Sequence, residues 1–276
     1  MSELVSTNWV YKNLNNRRLV ILDCSWHMPQ EKRNAKKEYE AMHIKNAYFF
    51  DIDKISDIKT NLPHMLPSQR KFEKKVRSFG INQNSLIAAY DVKGIFSSPR
   101  VWWMFKYFGH NNIFVLNGGL KKWLKEKKPV TKSKTPKKKS RFKSKIISKW
   151  LINKNQIIDN LHNNNSLIID ARNNDRFEGK IKEPRKGLRS GHIPGSKNLF
   201  WADLVTNNGT LISKKNLSIK FNNLKIKNKQ IFTSCGSGIT ACLLSLSLLH
   251  GLKISSSVYD GSWAEWGQIK KLPIIK

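Results

Sequence analysis

One half of this chain repeats the other. Val20-Ile21-Leu22-Asp23-Cys24-Ser25 returns as Leu167-Ile168-Ile169-Asp170-Ala171-Arg172, and His43-Ile44 returns as His192-Ile193. Leu86-Ile87-Ala88-Ala89-Tyr90 corresponds to Gln230-Ile231-Phe232-Thr233-Ser234, and Gly118-Gly119-Leu120-Lys121-Lys122-Trp123 to Gly261-Ser262-Trp263-Ala264-Glu265-Trp266. The matches keep their order at spacings of 143 to 149 residues. A tandem duplication of one domain is the simplest account, and 276 residues are comfortable for two domains of ordinary size. We expect an N-terminal domain over 5–128, a basic linker over 129–148 and a C-terminal domain over 149–276.

Within each copy, short continuous apolar runs alternate with longer helical patterns. Leu19–Leu22, Leu86–Ala89 and Ile113–Leu116 predict buried strands in the first copy; Leu167–Ile169, Gln230–Thr233 and Ser257–Tyr259 are their counterparts. Strands apolar on both faces and separated by helices predict an α/β fold, each copy a parallel sheet with helices on both sides. The intervening segment is rich in Lys, Ser, Thr and Pro, with Phe142 isolated in it. Such a composition predicts an extended linker over the surface that buries no core.

The net charge of +32 invites a nucleic-acid reading. Lysine is spread along the whole chain together with Asn and Ile, however, and the basic linker lacks the interleaved aromatics of a base-stacking surface. The preferred reading is a compositional bias carried on solvated surface, and nucleic acid is not an expected partner. No apolar run approaches the roughly 20 residues of a membrane span. Met1 to Tyr11 lacks the pattern of a secretory or transit segment, so no membrane association and a cytoplasmic location are expected. Three cysteines without a CxxC pair argue against a disulfide framework and a structural zinc site.

The chemistry concentrates at Ser234-Cys235-Gly236-Ser237-Gly238-Ile239-Thr240, where a predicted strand ends, a glycine-containing loop turns and an apolar helix starts near Ile239. Ligands in open α/β sheets bind beyond the carboxyl ends of strands. Two glycines let backbone N–H groups converge into an anion-binding nest, and the helix start adds positive potential. A thiolate, and a persulfide formed from it, suit such a place. Cys24 and Cys242 read instead as buried structural residues.

These features resemble the tandem-domain rhodanese superfamily over essentially the whole chain, and more narrowly its 3-mercaptopyruvate sulfurtransferase branch. The resemblance also rests on Asp51-Ile52-Asp53, Pro63-His64-Met65-Leu66-Pro67, Val101-Trp102-Trp103-Met104, Glu183-Pro184-Arg185, Gly191-His192-Ile193-Pro194-Gly195 and Tyr259-Asp260-Gly261-Ser262-Trp263. It implies a sulfurtransferase that moves sulfur from mercaptopyruvate to a thiol (thioredoxin among the candidates) or to cyanide through a Cys235 persulfide, releasing pyruvate. It further implies Cys235, Ser237, Asp53 and His64 as catalytic residues. Arg176 and Arg185, with Gly236, Gly238, Ile239 and Thr240, are the implied substrate contacts. The loop after Cys235 is neutral where thiosulfate-using relatives are basic, which favours the mercaptopyruvate branch. A thiosulfate-preferring enzyme and a basic binding protein on a degenerate scaffold are the alternatives; a phosphatase is disfavoured, because relatives that attack phosphate have a longer loop and this one is short and closes on Thr240. His192 and Asp170 read as structural, and the first copy has Asp91-Val92-Lys93-Gly94 where the cysteine loop belongs. No cofactor or metal is expected, and the protein should be a monomer or weak dimer.

Overall fold

A computed structural model describes residues 2–136, 139–163 and 165–276. The chain forms two compact units: Met1–Ile58, Leu66–Ile147 and Val205–Leu211 make the first, and Lys59–Met65, Ser148–Leu204 and Ile212–Lys276 the second. The segments 59–65 and 205–211 thus each belong to the unit that does not contain their chain neighbours, a crossing that the repeat alone does not predict.

In the first unit the strands are β1 (Leu4–Val5), β2 (Leu19–Asp23), β3 (His43–Ile44), β4 (Ala47–Phe49), β5 (Leu86–Tyr90), β6 (Ile113–Leu116) and β7 (Val130–Thr131). Five form a parallel sheet in the order β1-β6-β5-β2-β4, while β3 and β7 pair antiparallel. The second unit has β8 (Leu151–Ile152), β9 (Ser166–Asp170), β10 (Lys197–Asn198), β11 (Gln230–Ser234) and β12 (Ser256–Tyr259). They form a parallel sheet in the order β10-β9-β11-β12-β8, which is the first order read from the other edge. The expected α/β architecture is present in both units, and the short edge strands are what the apolar pattern missed. Strands of two or three residues carry no periodicity to read.

Register explains where the site falls. Pairing of β9 with β11 sets Asp170 beside Ser234, and pairing of β2 with β5 sets Asp23 beside Tyr90. The carboxyl ends of two adjacent strands in each sheet therefore finish together, and the loops after them share one edge. The helix Ala241–Leu252 backs this edge in the second unit, with Ala241 to Leu248 all buried. An apolar surface on every side requires such an interior position. Among the described residues, no helix is long and apolar enough to cross a membrane.

The segment 129–148 departs from the expectation of a linker that buries nothing. Phe142 is 2% exposed and packs near Phe72, Phe105 and His110, with ring centroids at 6.2, 6.4 and 5.8 Å. Arg77 Nε donates to its carbonyl at 2.8 Å, and Tyr48 Oη donates to the Pro136 carbonyl at 2.7 Å. The segment has few apolar residues, but one aromatic anchor with hydrogen bonds on either side suffices to seat an extended chain on a formed core.

Candidate active site

Cys235 is the first residue beyond β11, and its backbone is held on both sides. Its N–H donates to Ser262 Oγ at 3.2 Å, and its carbonyl accepts from the Trp263 N–H at 2.9 Å. The next carbonyl, of Gly236, accepts from the Ala264 N–H at 2.9 Å. Gly238 has φ of +77°, the left-handed region a glycine enters without strain, and this turns its N–H onto Cys235 Sγ at 3.1 Å. Ile239 is buried, and Thr240 is the N-cap residue of the helix that starts at Ala241, two residues later than the expected start. The thiol of Cys242 donates to the Gly238 carbonyl at 3.1 Å, so this structural cysteine braces the loop that carries the reactive one.

Two arginines reach this loop. Arg185 Nη2 donates to Ser237 Oγ at 3.4 Å. A Cβ placed on Gly236 would lie 2.9 Å from Arg176 Nη2, so the guanidinium rests against the residue following the cysteine, and glycine there makes the approach possible. Arg176 is itself clamped: Nε and Nη2 donate to Glu183 at 3.2 and 2.6 Å. Behind Glu183 lies Arg172, which donates to Glu183 Oε1 at 2.8 Å, to both Asp170 oxygens and to the Gly191 carbonyl. Its guanidinium also stands 4.4 Å from the centre of the Trp263 ring. Burial opposes the charge on Arg172, but Asp170 and Glu183 outweigh it and hold the guanidinium above its ordinary pKa.

His64 belongs to the same unit as Cys235, and its Nδ1 lies 3.1 Å from Ser237 Oγ and 3.2 Å from the Ser237 carbonyl. It is buried and adopts φ of +62°, uncommon for a residue with a side chain, and such backbone outliers concentrate at functional sites. Asp53, expected alongside it, belongs to the first unit, on the short helix Ile52–Ile55, where it accepts from Trp26 Nε1 at 3.2 Å. The second unit therefore brings together Cys235, Gly236, Ser237, Gly238, Arg176, Arg185 and His64.

Sequence reasoning gave no role to Ser262, Glu183 or Arg172. For Ser262 a signal existed in the repeat. It corresponds to Gly119, and both hold left-handed backbone, φ of +48° and +52°. A serine in a glycine's conformation implies work for the hydroxyl. Its Oγ both accepts from Cys235 and donates to the Tyr259 carbonyl at 2.7 Å.

The rhodanese-like domain model matches the chain twice, over residues 6–126 and 153–269. The chain belongs to the rhodanese family. Among curated proteins, thiosulfate/3-mercaptopyruvate sulfurtransferase 1, mitochondrial, of Arabidopsis thaliana is 40% identical, with 98% of this chain and 77% of that protein aligned. The 3-mercaptopyruvate sulfurtransferase of Rattus norvegicus is 37% identical over 95% of this chain and 91% of its own length. Among solved structures, SseA from Escherichia coli, described as a 3-mercaptopyruvate sulfotransferase, superimposes with a TM-score of 0.87 at 32% identity, covering 95% of this chain and 99% of that one. Of the two rhodanese copies here, the second holds the cysteine at the end of its central strand, and the first holds Asp91 at that place.

Proposed function

We propose that this protein is a sulfurtransferase that takes sulfur from 3-mercaptopyruvate onto Cys235 and passes it to a thiol or to cyanide. The observation that carries the reading is the loop geometry. The Cys235 sulfur accepts from the Gly238 backbone N–H ahead of a helix start, with two arginines and a Ser–His pair against the same turn. Donors of this kind stabilise negative sulfur, whether thiolate or persulfide.

The Cys235 thiolate attacks the donor's sulfur. A new S–S bond forms, the donor's C–S bond breaks, and its electron pair leaves on carbon as the enolate of pyruvate. The proton that completes pyruvate comes through Ser237, whose hydroxyl is held by His64 and Arg185. Resemblance to the family also implies a catalytic part for Asp53, which lies in the first unit. A thiolate acceptor then attacks the outer sulfur, leaves as a persulfide and returns Cys235 to thiolate. Arg176 and Arg185 hold the carboxylate and keto oxygens of the donor, a task suited to the planar fork of guanidinium. Gly236, Gly238, Ile239 and Thr240 contribute the loop backbone against which the transferring sulfur lies.

The name of the Arabidopsis relative covers both donors, so thiosulfate is the second reading. The neutral residues Gly236 and Ser237 favour the singly charged mercaptopyruvate over a compact dianion. Steady-state kcat/KM for the two donors with one acceptor decides between them: mercaptopyruvate should be the better donor, and a preference for thiosulfate refutes the donor assignment. A reducing compartment fits three free cysteines, and the cytoplasm is the proposed one, with a small thiol or a thioredoxin-like dithiol as acceptor.

A further inference from the structure

The carboxylate of Glu183 lies in the motif Glu183-Pro184-Arg185, and its side chain is 1% exposed. Both of its oxygens are taken: Oε1 by Arg172 Nη1 and Arg176 Nε, and Oε2 by Arg176 Nη2. Arg172, equally buried, is occupied in turn by Asp170 and the Gly191 carbonyl. Asp170, Arg172, Glu183 and Arg176 therefore form a chain of alternating charge that sums to zero. Its last member is 18% exposed and reaches the loop at Gly236, beside Cys235. Among the described residues Arg176 Nη1 has no protein hydrogen-bond partner, whereas Nε and Nη2 are held by Glu183.

We propose that Glu183 determines donor specificity: by neutralising Arg176 while fixing its orientation, it fits the site to a singly charged donor and against a doubly charged one. This inference rests on the reading of Arg176 as a donor-binding residue. A compensated guanidinium keeps its directional hydrogen bonds to one carboxylate, because those act at contact distance. It loses most of the longer-range attraction that a second negative charge would feel, because the carboxylate behind it cancels the field. Charge matching of this kind sets preference between ligands more than overall affinity.

The test uses the full chain, mercaptopyruvate and thiosulfate as donors, cyanide as common acceptor, and a series of ionic strengths. Glu183→Gln exposes one positive charge. It should raise the thiosulfate to mercaptopyruvate ratio of kcat/KM by about tenfold, an increase that shrinks with added salt. Glu183→Asp keeps the charge but shortens the reach. It should raise KM for mercaptopyruvate and leave the ratio unchanged. Arg176→Gln shifts the charge the other way and should cost thiosulfate more than mercaptopyruvate; if Glu183→Gln yields no folded protein, this variant and Glu183→Asp decide the matter. Equal proportional losses for both donors in Glu183→Gln, or a greater loss for mercaptopyruvate in Arg176→Gln, would overturn the inference and leave Glu183 a structural support. Unchanged kinetics for both donors in Arg176→Gln would instead remove Arg176 from the donor site and defeat the reading on which the inference stands.

Discussion

The loops after β5 and β11 begin from the same scaffold. The Asp91 carbonyl accepts from the Leu120 N–H at 3.0 Å, and the Cys235 carbonyl accepts from the corresponding Trp263 N–H at 2.9 Å. Three residues on, each loop turns through a left-handed glycine, Gly94 at φ of +113° and Gly238 at +77°. Beyond this point they differ. Asp91 Oδ2 accepts from the N–H groups of Phe96, Ser97 and Ser98 and from Ser98 Oγ, at 2.7 to 3.0 Å, while Oδ1 accepts from the Lys93 N–H. The first loop thus turns its donors onto a carboxylate of its own, and it reaches its helix at Ser98, one residue later than the second loop reaches Ala241. The second loop offers a donor to a sulfur that can carry a further atom. The same nest is closed by an internal anion in one copy and kept for chemistry in the other.

A parallel contrast lies one strand away. Asp170 at the end of β9 is met by Arg172, whereas Asp23 at the end of β2 is followed two residues later by Ser25, whose N–H donates to Asp23 Oδ1 at 2.9 Å. Desolvation pushes the Asp23 carboxyl up to about 6, against the hydrogen bonds from Ser25. The same burial drives the Cys24 thiol well above its usual value, which suits an inert residue. The catalytic copy thus neutralises its strand-end carboxylate with an arginine that also supports the site, and the other copy leaves the carboxylate to bear its burial.

The largest expected effect tests whether the two loops can exchange roles. Cys235→Ser should lower sulfur transfer by about three orders of magnitude or more and abolish the gain of one sulfur in intact mass after donor treatment. Adding Asp91→Cys to that variant should restore neither, since Lys93 stands where Ser237 does and the loop is one residue longer. A sulfur adduct on the thiol introduced by Asp91→Cys would show the two nests to be interchangeable.

Next in size is the closed nest itself. Asp91→Asn removes the charge that four donors share at one oxygen, and should destabilise the first unit by about 3 kcal/mol in urea unfolding. An unchanged midpoint would mean that the carboxylate is an incidental cap.

Asp23→Asn should act in the opposite sense, with a pH signature. The folded-state pKa of Asp23 lies above the ordinary 3.8, so its contribution to stability is greatest below about 4 and is lost as pH rises through about 6. The variant should match the unmodified protein near pH 4 and exceed it by about 2–3 kcal/mol at pH 7, read from paired denaturant titrations. A difference independent of pH would contradict the burial account.

The smallest effect concerns the position shared by Gly119 and Ser262. Ser262→Ala keeps a side chain at positive φ and takes the acceptor from Cys235 N–H, at a cost of about 1–2 kcal/mol. Ser262→Gly loses the same hydrogen bond but relieves the backbone, and should cost less. The reverse order of melting temperatures would deny the backbone contribution.

Order along the chain determined much of this protein without a structure. Apolar runs spaced like their copies identified two parallel sheets, because a strand buried on both faces needs an unbroken apolar run. A glycine-flanked cysteine at a strand end marked the reactive loop, because only a few residue types permit that turn. Tertiary structure decided what depends on distance across the chain. Glu183 is seven residues from Arg176 and eleven from Arg172 in sequence, separations that by themselves announce no pairing. Burial beside Asp170 and Trp263 is what makes them one network. His64 joins the catalytic unit only because residues 59–65 fold with it, and Phe142 anchors a tract whose composition promised none. Periodicity reports the face a residue presents to its own sheet or helix; it carries no information about which distant side chain that face will meet.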